Sequence, residues 1–257
     1  FYYSTGSSPS TNGTRVSTGA ASGSFSRNIT GLTPGTKYYY VACATNAGGT
    51  AYGEVENFTT LDEQGVTEDI NRIVSKEIQK KMTDLGLPIN GGGNPPNLVG
   101  TYKISPVILK KSNFSDGVSP GYQFNDVYLT FSEQNNDDLT VKVSFVQSTS
   151  IGEGSGAYVI GEGNKFSVFV ELVTDHDDGT RTISADVYSG TMTSTGIQDF
   201  YNALFMIDDG GDPEDSYIEN GQGRLVYDSD GLSERVTSVP RSAEGPAGRL
   251  PSMLRSK

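Results

Sequence analysis

The sequence predicts an all-β protein: a truncated sandwich, a linker helix and a second antiparallel unit of about eight strands. Three observations lead there. Strand patterns of period two recur through residues 36–60 and 98–235. Glycine occurs 32 times in 257 residues, often between those patterns, where tight turns need it. Only one stretch, 67–85, repeats apolar residues at helical spacing.

Residues 1–60 hold about four strands. Phe1-Tyr2-Tyr3 ends one strand, Ser4 to Gly13 is turn-rich, and Arg15–Thr18 and Gly23–Ile29 are short strands, with Phe25, Ile29 and Leu32 expected in the core. The turn Leu32-Thr33-Pro34-Gly35 then leads into a strand whose first aromatic, Tyr38, can fold its hydroxyl back onto the preceding backbone. Alternation from Tyr38 points Tyr40, Ala42 and Ala44 inward and Cys43 outward. Asn46-Ala47-Gly48-Gly49 is a turn, and Ala51–Thr60 is the last strand.

This segment resembles the C-terminal half of a fibronectin type III domain, of the variety common in surface proteins of Bacteroidota-type bacteria. The resemblance implies a spacer that presents other domains. It also implies that the chain begins in mid-domain, with any signal or lipid-attachment site upstream of Phe1.

Residues 61–97 read as a linker. Thr67 is placed to N-cap a helix, with Glu68 and Asp69 in its first turn. Ile70, Ile73, Val74, Ile78, Met82 and Leu85 make one apolar stripe, Gly86 stops the helix, and Pro88 follows. The stripe is expected to dock on the second unit; the mixed charge of the polar face argues against a calmodulin-type target helix. Residues 90–97 show neither strand nor helix pattern.

Residues 98–235 contain eight strand candidates: 98–109, 124–131, 139–147, 156–160, 166–173, 182–192, 203–207 and 224–227, with a possible helical turn at 196–202. Val141, Val143 and Phe145 share one face, and Lys142 and Ser144 the other. Eight short strands at this spacing suit a closed barrel or a sandwich. The helix, the run NPPNLVGTY at 94–102 and the meander after it together resemble the lipocalin-like (calycin) barrels of Bacteroidota surface lipoproteins. Gly100-Thr101-Tyr102 occupies the place of that family's Gly-x-Trp motif, in a chain with no Trp. The resemblance implies a barrel whose first and last strands pair, with Arg224 lying over Tyr102. Such a barrel is filled by its own side chains or open to a ligand at its mouth. Residues 236–257, with three Pro and no periodicity, are expected to stand outside the fold as a disordered tail.

Charge excludes several partners. The net is −12, and residues 98–235 carry 8 basic against 22 acidic residues. Such a surface repels phosphate backbones and anionic membranes, so neither nucleic acid nor membrane insertion is expected. A single cysteine, Cys43, excludes an intramolecular disulfide and reads as a small apolar filler.

No constellation for catalysis stands out. The one histidine, His176, falls in the acidic hairpin Asp175–Gly179, where a solvated turn is expected. His176 and Cys43 are too few to hold zinc. The glycines 91–93 follow a helix and precede prolines, so they do not cradle phosphate. Asp126, Glu171 and Asp186 are carboxylates inside strand patterns, and a paired arrangement would suit a glycosidase. The acidic loops 175–179, 208–215 and 228–231 could supply oxygens to calcium, most densely at Asp208–Asp215, although none has the EF-hand spacing. No catalytic residue, cofactor or metal site is therefore assigned. The expected protein is a non-catalytic, monomeric, extracellular or outer-membrane-surface binding or scaffold module with a glycan or protein ligand. A carbohydrate hydrolase and a calcium-binding module are the alternatives.

Overall fold

A computed structural model describes residues 1–19, 23, 26–62, 65–115, 117–212, 215–239 and 252–255. The chain divides into two compact units between Glu68 and Asp69.

In the first unit, β1 (Tyr2–Ser4), the helical turn α1 (Pro9–Asn12), β2 (Thr14–Arg15), β3 (Lys37–Asn46) and β4 (Gly49–Thr59) follow in sequence, and the strands form one antiparallel sheet ordered β2-β1-β3-β4. Tyr38 is buried, and its hydroxyl accepts from the Thr33 amide at 3.1 Å, the predicted fold-back. The predicted inward set is corrected. Tyr38 and Val41 are the buried positions of β3; Tyr40 and Ala42 are half-buried and Ala44 is exposed. The ladder with β4 is unbroken from Lys37 to Val41, so Tyr38 and Val41, an odd interval apart, lie on opposite faces and the strand is covered on both sides there; the register shift, with its extra residue on β4, comes only after Val41. Residues 26–32 form no strand, and Ile29 and Leu32 are half-buried rather than core; Phe25 lies outside the described residues.

In the second unit the predicted helix is two helices, α2 (Glu68–Ile73) and α3 (Lys76–Leu85). The break falls at Ser75, which takes an extended conformation and caps α3 by accepting from the Ile78 amide at 3.3 Å. Its stripe buries Val74, Met82 and Leu85 and half-buries Ile73 and Ile78. The predicted stop holds: Gly86 is left-handed at φ +107°, and the Leu87 amide bonds the Met82 carbonyl at 3.1 Å.

Twelve strands follow: β5 (Gly93–Asn94), β6 (Gly100–Ile104), β7 (Val107–Ser112), β8 (Gln123–Phe124), β9 (Val127–Asn135), β10 (Thr140–Gln147), β11 (Ser150–Glu162), β12 (Lys165–Asp175), β13 (Arg181–Met192), β14 (Gly196–Asp208), β15 (Gly223–Asp228) and β16 (Leu232–Val236). Each of the eight predicted segments overlaps a strand, but 98–109 and 124–131 are each broken into two, and β16 was not predicted. The predicted helical turn at 196–202 is the start of β14, paired with β13 and β16. The loop expected at 90–97 contributes β5, which pairs in parallel with β11. Gly92 permits this: a Cβ there would lie 2.5 Å from the Gly161 carbonyl oxygen.

Eight strands close a ring in the order β6-β9-β10-β11-β12-β13-β14-β16, and β16 pairs back with β6. β7, β8 and β15 continue β6, β9 and β16 beyond short interruptions. The register runs through on one side, where Ile104 faces Val127 and Val107 faces Phe124; on the other it slips by two residues, since Lys103 faces Glu234 and Val107 faces Asp228. The architecture is thus an antiparallel meander whose first and last strands pair.

Alternation along these strands makes two apolar layers. Inside the ring lie Leu129, Phe131, Val143, Phe166, Val168 and Leu204, among others. On its outer side Val187, Ala203, Phe205 and Leu225 are equally buried, and α3 packs against β14 and β15. Against the expectation for 236–257, Ser252, Met253 and Leu254 are buried in this unit. Apolar side chains and backbone hydrogen bonds to Gln147, Ile218 and Arg224 outweigh the Pro-rich composition of the surrounding sequence.

Candidate functional site

Strand alternation builds a polar corner inside the ring. Ser184, Asp186 and Tyr188 recur at every second position of β13, and Phe200, Asn202 and Leu204 do so on β14. Register puts Tyr188 opposite Asn202 and Asp186 opposite Leu204. Asp186 accepts from the Ser184 hydroxyl at 2.6 Å and from the Asn202 amide nitrogen at 2.9 Å. Both residues are almost completely buried. Removal from water disfavours the carboxylate and pushes Asp186 up to about 6, although the two hydrogen bonds oppose that shift. Burial likewise raises Tyr188, with the Asp186 charge adding to it. The Asn202 carbonyl oxygen is buried with no hydrogen-bond partner.

These groups line a cavity of about 20 Å³, room for about one water molecule. The rest of its wall is mainly apolar, including Ile104, Phe145, Leu172 and Val226, with Gln147 as a further polar group. Met253 and Leu254 also line it, entering from a segment far along the chain. Among the described residues, Asp186 is the only carboxylate on this wall. A hydrolytic pair would need a second carboxylate across the cleft. With Met253 and Leu254 in place the space admits about one water molecule; where those side chains withdraw, Asp186 and the Asn202 side-chain carbonyl can accept hydrogen bonds from a donor carried on an apolar body.

The predicted Tyr102–Arg224 contact is corrected. The strand ends do pair, but Tyr102 lies opposite Arg235, while Arg224 lies opposite Ser112. Tyr102 is buried, donates to the Leu98 carbonyl at 2.9 Å and packs on Phe131. Arg224 is wholly buried at the other end of the kinked strand pair. Its guanidinium lies 5.1 Å from the Phe114 ring and 5.3 Å from the Phe124 ring, and it donates to the Met253 and Arg255 carbonyls. The interruption between β15 and β16 separates the two residues, and a linear sequence does not show it.

His176 is not a solvated turn residue. It is buried, with Nδ1 3.0 Å from the Ser150 hydroxyl, Nε2 3.0 Å from the Thr182 hydroxyl and its ring 4.3 Å from that of Tyr217. Burial lowers its pKa below the ordinary value. The β11, β12 and β13 ends and residues 215–218 cover it, contacts invisible to a reading of the hairpin alone. Two hydroxyls on its two nitrogens hold a neutral ring; the Ser150 hydroxyl is itself buried, so the pair offers no exposed nucleophile.

The other acidic positions are tied up locally. Asp126 pairs with Lys103 at 2.9 Å, and Glu171 is half-buried on β12. Asp175 pairs with Arg181 at 2.7 Å. Asp178 accepts from the Tyr217 hydroxyl at 2.6 Å, which holds its carboxyl well below the usual range. Asp208, Asp209 and Asp212 each accept from an amide of their own loop, and Pro213 and Glu214 lie outside the described residues. Asp228 accepts from the Ser105 amide and the Ser233 hydroxyl, pinning the β15–β16 interruption. Among the described residues, no group of three or more His, Cys, Asp or Glu is placed to hold a metal ion. Cys43 is a half-buried free thiol in the first unit. Among the described residues no helix is long and apolar enough to cross a membrane.

Sequence reasoning weighed Asp186 as a catalytic acid and did not single out Ser184, Asn202, Gln147 or the Met253-Leu254 pair. One signal was available: Asn202 is a polar residue in the apolar alternation Phe200, Leu204, Met206. Comparison with protein-family models, with curated proteins and with solved structures finds no match to this chain.

Proposed function

We propose that this protein is a non-catalytic binding module of a bacterial surface or secreted type. In this reading a partial fibronectin type III-like spacer carries a lipocalin-like barrel that takes its ligand at one end. The Tyr38 fold-back and the β2-β1-β3-β4 order support the first assignment. First-to-last strand pairing in an eight-stranded meander supports the second. The observation that carries the functional reading is the unpartnered Asn202 side-chain carbonyl beside Asp186, on a mainly apolar wall inside a closed ring. Such a wall favours a ligand with an apolar body and one hydrogen-bond donor over a sugar. A lone carboxylate on that wall favours binding over hydrolysis.

Thermal-shift titration of a Met253→Ala/Leu254→Ala variant, in which those two side chains no longer fill the space, with millimolar aliphatic alcohols, amines and short apolar peptides tests this. At least one class should raise the melting temperature saturably, and Asn202→Leu should weaken that rise. No stabilisation by any class would overturn the reading.

A further inference from the structure

The mouth of the barrel is already occupied by the chain itself, and the way it is occupied shows what the site recognises. Ser252–Arg255 forms a turn, closed by the Arg255 amide on the Ser252 carbonyl at 3.2 Å. The barrel reads the backbone of this turn group by group. Gln147 Oε1 accepts from the Met253 amide at 3.1 Å and from the Ser252 hydroxyl at 3.0 Å. Arg224 donates to the Met253 carbonyl and, at 2.9 Å, to the Arg255 carbonyl. The Ile218 amide donates to the Leu254 carbonyl at 2.9 Å, and Tyr217 and Arg255 form an antiparallel bridge. Met253 and Leu254 enter the cavity wall. The Arg255 guanidinium lies over the Tyr217 ring at 5.0 Å and pairs with Asp177 at 3.2 Å and Asp178 at 3.1 Å.

Donors and acceptors fixed on a peptide backbone, apolar room for two adjacent side chains and an acidic pair for a cation are the elements of peptide recognition. We infer that the barrel mouth is a peptide-binding site for a turn of two adjacent apolar residues followed by Arg or Lys, and that Ser252–Arg255 is its ligand in cis. The inference rests on the binding reading above and names the ligand class. Charge complementarity supports it: the site presents Asp177 and Asp178 on a unit whose strands 98–235 are strongly acidic. A ligand on the same chain competes at a high effective concentration, so a free peptide enters only where the cis segment is weakened.

The test uses the full chain and a fluorescein-labelled peptide with the sequence PSMLRSK, read by anisotropy. Met253→Asp/Leu254→Asp places charges where the wall is apolar and should empty the mouth. This variant should bind the peptide saturably, at least ~10-fold more tightly than the unmodified chain does. Replacing the peptide's Arg by Glu should cost ~10-fold or more, as should adding Gln147→Ala to the variant, which removes the acceptor for the Met253 amide. If the double variant fails to fold, Arg255→Glu serves instead. It removes the partly exposed ion pair and the stacking on Tyr217, sets a like charge against Asp177 and Asp178, and should admit the peptide several-fold more readily than the unmodified chain.

Nile red, an uncharged apolar dye, separates the two levels of the argument. A folded variant that binds the dye but not the peptide overturns the peptide inference and leaves the cavity reading intact. A variant that binds neither overturns both. Equal peptide binding by the variant and the unmodified chain shows that Ser252–Arg255 does not occupy the site, and overturns the inference.

Discussion

The two units use the same raw material, alternating strands rich in Tyr, Phe and Val, and reach different ends. In the first, a four-stranded sheet remains open. Every residue of β4 is exposed, and Tyr52, Val55 and Phe58 present apolar surface to solvent. Its aromatic cluster, with Tyr38 5.9 Å from Phe58 and 6.0 Å from Tyr3, has one well-buried ring, that of Tyr38. In the second, the ring closes, the first strand pairs with the last, and both faces of β13 are buried. Closure removes sheet edges and shields an interior at the same time. That shielded interior is what allows a carboxylate and an amide to be placed out of water, where a hydrogen bond is worth more and its absence costs more.

The largest effect that could break this comparison comes from the barrel core. Phe131 packs on Tyr102, Phe166 and Tyr188. Phe131→Ala should destabilise the second unit by about 3–5 kcal/mol. Hydrogen exchange should show lost protection across the ring and none in β3–β4. Equal loss in β3–β4 would mean that the two units share one stability.

Asp186 gives the next effect. Its folded pKa of about 6 lies above the ~3.9 of an unfolded aspartate. The folded state therefore binds this proton more tightly. The site costs nothing below about pH 4, and stability falls as pH rises from about 4 to 6. Above that window the fold carries a penalty of about 3 kcal/mol, which Asp186→Asn should remove. Melting temperature against pH should be higher for the variant at pH 7–8, with the difference vanishing near pH 4. A variant less stable at pH 8 would show that the ionised carboxylate is held favourably.

Histidine works with the opposite sign. The His176 pKa is depressed by burial, so its contribution is present above the ordinary value of ~6.5 and is lost as pH falls through the window below it. His176→Gln should flatten that acid-side loss, as read by urea unfolding at pH 5 and pH 7. An unchanged slope would mean that the ring is protonated as readily when folded as when unfolded.

The first unit should give the smallest changes. Tyr38→Phe removes the hydrogen bond to the Thr33 amide and should cost about 1 kcal/mol, seen as lost exchange protection in β3. Tyr52→Ser, at a position half exposed, should change stability by less than about 0.5 kcal/mol while reducing the binding of apolar dyes. A larger cost at Tyr52 would indicate that something covers β4 in solution.

Much of this protein was legible in its sequence because the information is local. Period-two alternation and glycine-bearing turns marked seven of the ring's eight strands and β15, but not β16, and the turn before Tyr38 marked its fold-back. The stripe from Ile70 to Leu85 marked helix and its buried face, although Ser75 divides it because a capping hydroxyl competes with the helix that passes through it. What tertiary structure alone decided is set by partners distant in sequence. The bulge in β4 depends on its pairing with β3, and the burial of His176 depends on Ser150, Thr182 and Tyr217. The site arises the same way: Asp186, Asn202 and Gln147 belong to different strands, and Arg224 turns from Tyr102 toward Met253 and Arg255. Alternation says that a residue faces inward, but register and ring closure determine what it meets there. Residues 252–255 show the limit most plainly: their composition predicts no fold, and a barrel with fitting donors, acceptors and apolar room supplies one.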